Sequence, residues 1–243
     1  MDNRVEFVVA AHNAETSIER CVNSLLAQNL TWRVTVVNDA SRDGTGAILA
    51  RLVDPRLRVV TVSFRSRAKA SNLGFARCEA AYVCSVDADV IYIKDLFDRL
   101  LPQLERFPFL MLTDVPSDGE LREVVLGPDF VPPRNSFLFS RKKLPTLSFA
   151  TIYPKAGGED TDLAIRLLKS GTRIGAVYGG YVHERAEGRM GLRRRIHFHL
   201  WNLITYLRHL DVPMCRQRLA DIARHPLRRV VGSLRQEYRR SSP

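Results

Sequence analysis

The sequence predicts an α/β fold: a mostly parallel central sheet flanked by helices, followed by a basic helical C-terminal extension. Three observations carry that reading. Short Val-rich runs alternate with helical patterns through the first half of the chain, the rhythm of a parallel sheet whose crossovers are helices. The apolar run 80–86 ends abruptly in Asp87 and Asp89, as a core strand covered on both faces would end where it opens into a loop. A hydrophobic content of 45% over 243 residues is ample for one large core.

Each element follows from local pattern. Strands are expected at residues 5–10, 34–37, 57–62 and 82–86. Between the first two, Ile18, Cys21, Val22, Leu25 and Leu26 recur at helical spacing and should face the core. A helix is expected over 68–78 and another over 94–106, the latter ended by Phe107-Pro108. Residues 109–113 return as a strand. From 114 to 154 the periodicity fails among Pro116, Pro128, Pro132, Pro133, Pro145 and Pro154. That region reads as loops around a site, with one short strand at 136–139. Gly157-Gly158-Glu159-Asp160-Thr161-Asp162-Leu163 opens a further helix, and another apolar strand leads to His183.

Cys21, Cys78, Cys84 and Cys215 show no C-x-x-C pairing, which argues against zinc and disulfides, and Cys21 reads most simply as a core residue. No signal peptide precedes the first strand and no apolar span is long enough to cross a bilayer. The expectation is a reducing cytoplasm, with a peripheral position on the inner membrane face.

The chemistry starts from Asp87 and Asp89. Hard divalent cations take oxygen ligands, and Mg2+ is usually held by one or two carboxylates together with substrate phosphates. A phosphate-bearing substrate on a metal is the functional reading; a strand-end turn is the bland one, since a bare D-x-D arises by chance. Three other segments fall into order around it: Ala11-His12-Asn13 after the first strand, Asn38-Asp39-Ala40-Ser41-Arg42-Asp43-Gly44-Thr45 after the second, and the Glu159-Asp160 segment downstream. In that order the motifs closely resemble the family 2 glycosyltransferases, whose catalytic domain has the GT-A fold. The resemblance covers roughly the first 185 residues. It implies a GT-A catalytic domain over 1–188, with a nucleotide-sugar-binding part (1–113) and an acceptor-binding and catalytic part (114–188), followed by the extension 189–243.

The same resemblance assigns roles. Asp39, at the tip of the second strand, accepts hydrogen bonds from the nucleotide, a task suited to an ionised acid that only accepts. Asn38 stands where the family has a first Asp. The first loop matches the family's Pro-x-Tyr-Asn-x-Glu in part, with Ala10 for the proline and His12 for the tyrosine. His12 and Asn13 are donor-site candidates, against a strand-end residue and a helix N-cap respectively. Arg65-Ser66-Arg67-Ala68-Lys69-Ala70-Ser71-Asn72-Leu73-Gly74 resembles Gly-x-x-x-Ala-Arg-Asn-x-Gly, with Ser71 where Arg is usual. Asn72 joins the donor set, and the cations face either the diphosphate or solvent. Asp87 faces the ribose or the metal's water shell, Asp89 ligates Mn2+ or Mg2+, and His183 is a further metal candidate; Val90 replaces a usual third Asp. Asp160 is the implied general base, because an acceptor hydroxyl is a poor nucleophile until its proton is removed. Asp43 reads as a turn and cap, and Asp162 as an acid that complements the helix dipole.

The implied activity is inverting, metal-dependent transfer from a nucleoside-diphosphate sugar, UDP-linked by default, to a hydroxyl of a glycan or lipid-linked acceptor. A net charge of +11, with 37 Lys and Arg against 26 acids, is densest after Gly188. There Arg193-Arg194-Arg195 and later arginines interleave with Phe198, Trp201, Ile204 and Tyr206. Such a tail suits an anionic membrane surface, while part of 191–210 is equally a helix packed on the catalytic domain. Two rival readings remain. A sugar nucleotidylyltransferase would be expected to carry a Gly-rich phosphate loop after the first strand, which residues 10–16 do not supply. A non-catalytic polyanion or membrane binder leaves the ordered acids unexplained, and no specific nucleic-acid partner is implied.

Overall fold

The computed structural model describes residues 3–113, 121–125, 136–153, 158–179, 181–183 and 192–209. Four strands, β1 (Val5–Ala11), β2 (Thr31–Asp39), β3 (Leu57–Val62) and β4 (Tyr82–Asp87), lie parallel in the order β3-β2-β1-β4. Helices α1 (Ile18–Leu26), α2 (Thr45–Arg51) and α3 (Arg67–Ala76) connect them. The chain thus winds outward from β1 to β3 and then returns to β1's other flank as β4. Loops leaving the carboxyl ends of β1 and β4 diverge there, which creates the crevice where open α/β sheets bind ligands.

The sheet continues through β8 (Ser136–Ser140), β6 (Phe109–Thr113), β9 (Ile174–Tyr178) and β7 (Leu121–Val124). Strands β8 and β7 run against their neighbours, so six of the eight strands share one direction. The expectation of a mostly parallel sheet holds, with the antiparallel members confined to the second half. A separate two-stranded ribbon pairs β5 (Val90–Tyr92) with β10 (Tyr181–His183).

Alternation along the strands splits the core into two layers. Phe7, Val9, Val34, Val36, Cys84 and Val86 pack under α1, α2 and α4 (Leu96–Leu100). Val8, Val83, Phe109, Met111, Phe137 and Phe139 face the other way, toward α3, α5 (Glu159–Lys169) and Tyr206 of α6 (Leu192–Arg208). Ile18, Cys21, Val22 and Leu25 are fully buried, as their spacing predicts, and Leu26 is partly so.

Three local expectations change. The helix expected over 94–106 is α4 followed by a 3-10 helix, Leu101–Glu105. Pro102 has no N–H to give to the preceding turn, so the α-helix cannot run through it. Strand β7 lies inside the stretch read as loop, because four residues on a sheet edge leave little pattern. Asp162 does far more than complement a helix dipole. It is fully buried and binds Arg166 Nε (2.8 Å), His209 Nε2 (3.0 Å) and Arg208 Nη1 (3.6 Å). Thr161 donates to Asn202 Oδ1 at 2.7 Å, and Thr205 Oγ1 lies 2.8 Å from the Tyr153 hydroxyl. Residues 202, 205 and 206 therefore turn one face of α6 toward α5 and Tyr153, and His209, just past the helix, holds Asp162. The boundary expected at 188, Cys215 and the arginines beyond 209 lie outside the described residues. Cys21, Cys78 and Cys84 are buried free thiols, and burial pushes the pKa of Cys78 and of Cys84 upward.

Close packing of α3 on β1 depends on Gly74. A Cβ there would sit 2.2 Å from Val8 Cγ1. Gly74→Ala should cost about 1–3 kcal/mol through overpacking. A thermal melt should show it as a Tm lowered by about 2–4 °C per kcal/mol; an unchanged Tm would mean the helix rides further from the strand.

Candidate active site

The loops after β1, β2 and β3 each contain one non-glycine residue in the left-handed region: Asn13 (φ 52°), Ala40 (φ 56°) and Arg65 (φ 53°). For Ala and Arg that conformation costs about 1–2 kcal/mol, and such strain persists where surrounding bonds over-determine it. Those bonds are present. The Asn13 amide donates to Ser41 Oγ (3.0 Å), and Asn13 Oδ1 accepts from the Arg42 amide (2.8 Å). Ala14 donates to Thr45 Oγ1 (2.8 Å), and Glu15 Oε2 accepts from the Gly44 amide (2.7 Å). Asp43 takes the Thr45 hydroxyl and amide (2.6 and 3.1 Å), the turn-and-cap role its sequence suggests. Burial works against its ionisation, but these bonds outweigh it and hold the carboxyl below its usual range.

Asp39 is the keystone of the third loop. Its two oxygens accept from the amides of Arg65 (2.8 Å) and Ser66 (2.7 Å), and only 4% of the residue is exposed. Each carboxylate oxygen retains a second lone pair. The Asp39 carbonyl accepts from His12 Nδ1 at 2.6 Å, and His12 Nε2 lies 3.4 Å from the side-chain nitrogen of Asn13. His12, Asn13 and Asp39 thus gather at the ends of β1 and β2. Asn72 stands elsewhere. Its amide clasps the backbone of Phe149 with both ends (2.9 and 2.8 Å) and lines a cavity of about 670 Å3 toward the other end of α3.

Asp87 ends β4 and Asp89 follows in the turn to β5. Ser17 Oγ donates to the Ala88 carbonyl at 2.9 Å, so α1 fixes this turn from below. Pairing of β10 with β5 sets the main chain of His183 opposite Val90, the residue after Asp89; the His183 side chain lies outside the described residues. Among the described residues no three His, Cys, Asp or Glu side chains converge as a ready metal cage.

The acids converge on a cation instead. Arg67, the first residue of α3, places Nε and Nη2 on Asp87 Oδ1 (2.9 and 2.8 Å) and Nη1 on Asp160 Oδ1 (2.9 Å) and Glu159 Oε1 (3.3 Å). Its guanidinium lies 5.4 Å from the centre of the Phe149 ring, which the Asn72 clasp holds in place. Three carboxylates against one guanidinium leave surplus negative charge in a poorly solvated site. Burial first, then Glu159 and Asp87, push Asp160 up to about 7, against the pull of Arg67 in the opposite direction. Burial would loosen the proton on Arg67, but Asp160, Asp87 and Glu159 outweigh it and keep the group firmly charged. An acid with a pKa near neutrality is the kind that general-base catalysis needs.

Glu159 and Asp160 owe their position to Gly158, at φ 99°. A side chain there would meet Tyr153 Cε1 at 2.7 Å and Thr205 Oγ1 at 2.8 Å. Arg67, read from sequence as facing either the diphosphate or solvent, was left out of the candidate set, since a cation at a helix start equally reads as solvated. The available signal was Ser71, one turn later on the same helix face, where an arginine is expected.

A family model described as "Glycosyl transferase family 2" matches residues 6–153. In sequence the chain is 34% identical over 103 residues to the succinoglycan biosynthesis protein ExoO of Rhizobium meliloti (strain 1021), across 42% of this chain and 30% of that protein. The chain spans well under half the length of the curated relatives it matches. In structure it resembles glucosyl-3-phosphoglycerate synthase from Mycobacterium tuberculosis, solved with Mn2+, UDP and phosphoglyceric acid. That match has 20% identity and a TM-score of 0.62, and covers 84% of this chain and 77% of that one. It also resembles the mannosyltransferase PcManGT from Pyrobaculum calidifontis, solved with GDP-Man and Mn2+, at 19% identity and TM-score 0.57 over 95% of this chain and 79% of that one. These likenesses establish the fold as that of the GT-A enzymes.

Proposed function

Because the chain belongs to glycosyl transferase family 2, we propose that it transfers a sugar from a nucleoside diphosphate to a hydroxyl of a glycan or lipid-linked acceptor, with inversion, in the assembly of a surface polysaccharide or glycolipid. The observation that carries the reading is Asp160: a carboxylate on the first turn of α5, pushed up to about 7 and facing Asp87 across one guanidinium. His12, Asn13 and Asp39 would hold the nucleoside, and Asp87 the ribose side of the donor. Asn72 would support the donor site through its clasp on Phe149. UDP is the default nucleotide; the neighbours solved with UDP and with GDP-Man make both worth testing.

The residues fit a divalent cation. The acids around Arg67 carry more negative charge than it neutralises, and Asp89 adds an oxygen donor at the adjacent turn, the ligand type Mg2+ and Mn2+ prefer. Asp89 and His183 would hold the ion, which when bound neutralises charge on the departing diphosphate. Asp160 takes the proton of the acceptor hydroxyl as its oxygen attacks the anomeric carbon. The nucleoside diphosphate leaves from the opposite face, so the configuration inverts and the proton ends on the Asp160 carboxyl.

Among the described residues no helix is long and apolar enough to cross a membrane. The face of α6 turned away from α5 exposes Leu200 (44%), Ile204 (42%) and Leu207 (56%) at one-turn spacing. An apolar ridge on a helix whose sequence includes Arg193-Arg194-Arg195 suits an anionic bilayer surface, which would bring a lipid-linked acceptor to the site. The intact protein should co-sediment with phosphatidylglycerol vesicles at low salt and lose binding with Leu207→Glu; equal pelleting of both proteins would remove this ridge from the role.

A nucleotide panel of UDP, GDP and dTDP, with and without Mn2+, tests the transfer reading. One diphosphate should raise Tm in a metal-dependent way, since a ligand of the native state stabilises it; no shift with any of them would overturn the reading. Asp160→Asn should keep that shift and lose transfer. In the wild type, kcat/KM should fall about tenfold per pH unit below about 7, because protonated Asp160 is no base. Wild-type turnover by the variant would take Asp160 out of the mechanism.

A further inference from the structure

Arg67 occupies an unexpected place for a residue at a catalytic centre. Its Nη1 holds an oxygen of the proposed base, Asp160 Oδ1, at 2.9 Å. The same Nη1 is shared with Glu159 at 3.3 Å, whereas Nε and Nη2 both hold Asp87. The grip is therefore uneven: two nitrogens on the D-x-D side and one divided nitrogen on the base side. About 18% of the side chain is exposed, so a ligand entering the crevice reaches it.

We propose that Arg67 couples donor binding to release of the base: the diphosphate of an incoming nucleotide sugar draws Nη1 off Asp160, while Nε and Nη2 stay with Asp87. The inference rests on the transfer reading above. A diphosphate competes for that nitrogen because a phosphate oxygen accepts a short, charge-assisted bond from a guanidinium N–H, and because the Nη1 it draws on is already divided between two carboxylates. The Phe149 ring under the guanidinium is a flat surface over which the plane can turn without losing its support. Once Nη1 leaves, Asp160 loses the cation that opposes its protonation, and its proton affinity rises when an acceptor is about to be used.

The sequence carries a matching irregularity. Ser71 stands where the family resemblance expects arginine, and it is buried at 1% exposure. Arg67 lies four residues earlier, hence on the same face of α3 one turn closer to its N-terminus. In this chain the cation on that face of the helix stands one turn nearer its N-terminus than the one the resemblance expects, within reach of Asp160. That placement makes the arginine a partner of the base as well as of the donor.

The test uses the full chain with Mg2+ and two variants, Arg67→Met and Arg67→Lys, the second preserving charge should the first fail to fold. Affinities for UDP, GDP and dTDP are compared with those for uridine, guanosine and thymidine. The coupling predicts that Arg67→Met loses about ten- to a hundredfold in affinity for the bound diphosphate while nucleoside affinity is unchanged, with Arg67→Lys between. A residue that merely braces the acids would lower Tm and leave the diphosphate-to-nucleoside ratio alone, and that outcome overturns the proposal. A crystal structure with the nucleoside diphosphate and Mg2+ should show the Nη1 to Asp160 distance opened beyond about 3.5 Å. Retention of that contact in the complex overturns the proposal too, though not the transfer reading. Failure of every diphosphate to bind the wild type overturns both.

Discussion

Asp87, Glu159 and Asp160 come from segments some 70 residues apart in sequence, and they share one guanidinium. A site of low polarity cannot hold three like charges together without a counter-charge. Arg67 therefore determines how closely the end of β4 and the start of α5 approach. The aromatic layer beneath it follows from the same need. Phe149 rests on Phe75 and Phe137, and Phe137 stacks on Phe109 at 4.8 Å. The floor of the charged site is thus the top of one hydrophobic layer.

The acid motifs were legible because their chemistry is tied to position: a strand that ends in Asp87, and a glycine followed by two acids at a helix start. The sheet was legible because strands covered on both faces leave continuous apolar runs, so residues 82–86 and 109–113 are strands as expected. What could not be read was solvation. Asp162 and Asp160 stand two residues apart at one helix end, yet the first is sealed under α6 and the second faces a crevice. Glu6 is a similar case. It sits in β1 as one acid among valines, but it is buried and accepts from the amides of Glu79 and Ala80, bracing the entry to β4. A lone acid in a sequence carries no mark of which oxygen will meet which amide. Arg67 was obscure for the same reason, since its partners lie 20 and 92 to 93 residues away.

The proposed donor side and the proposed base side are organised differently. Loops after β1, β2 and β3 are held by side chain to backbone bonds among themselves, and the strained residues Asn13, Ala40 and Arg65 sit inside that mesh. Their shape is set before any ligand arrives. The base side depends on a helix from far along the chain: Gly158, Thr161 and Asp162 all meet α6, so the residues flanking Asp160 are gripped from one face.

That grip has a consequence in time. During synthesis, the β1 to β4 unit contains its own crossovers and can collapse while the rest of the chain is still being made. The first turn of α5 cannot take its final place until residues up to His209 have emerged. At about 5–20 residues per second, some 2 to 10 seconds separate the appearance of Asp160 from that of its last support. A nascent chain would thus complete the proposed donor crevice before the first turn of α5, which holds the proposed base, gains its support from residues 202–209.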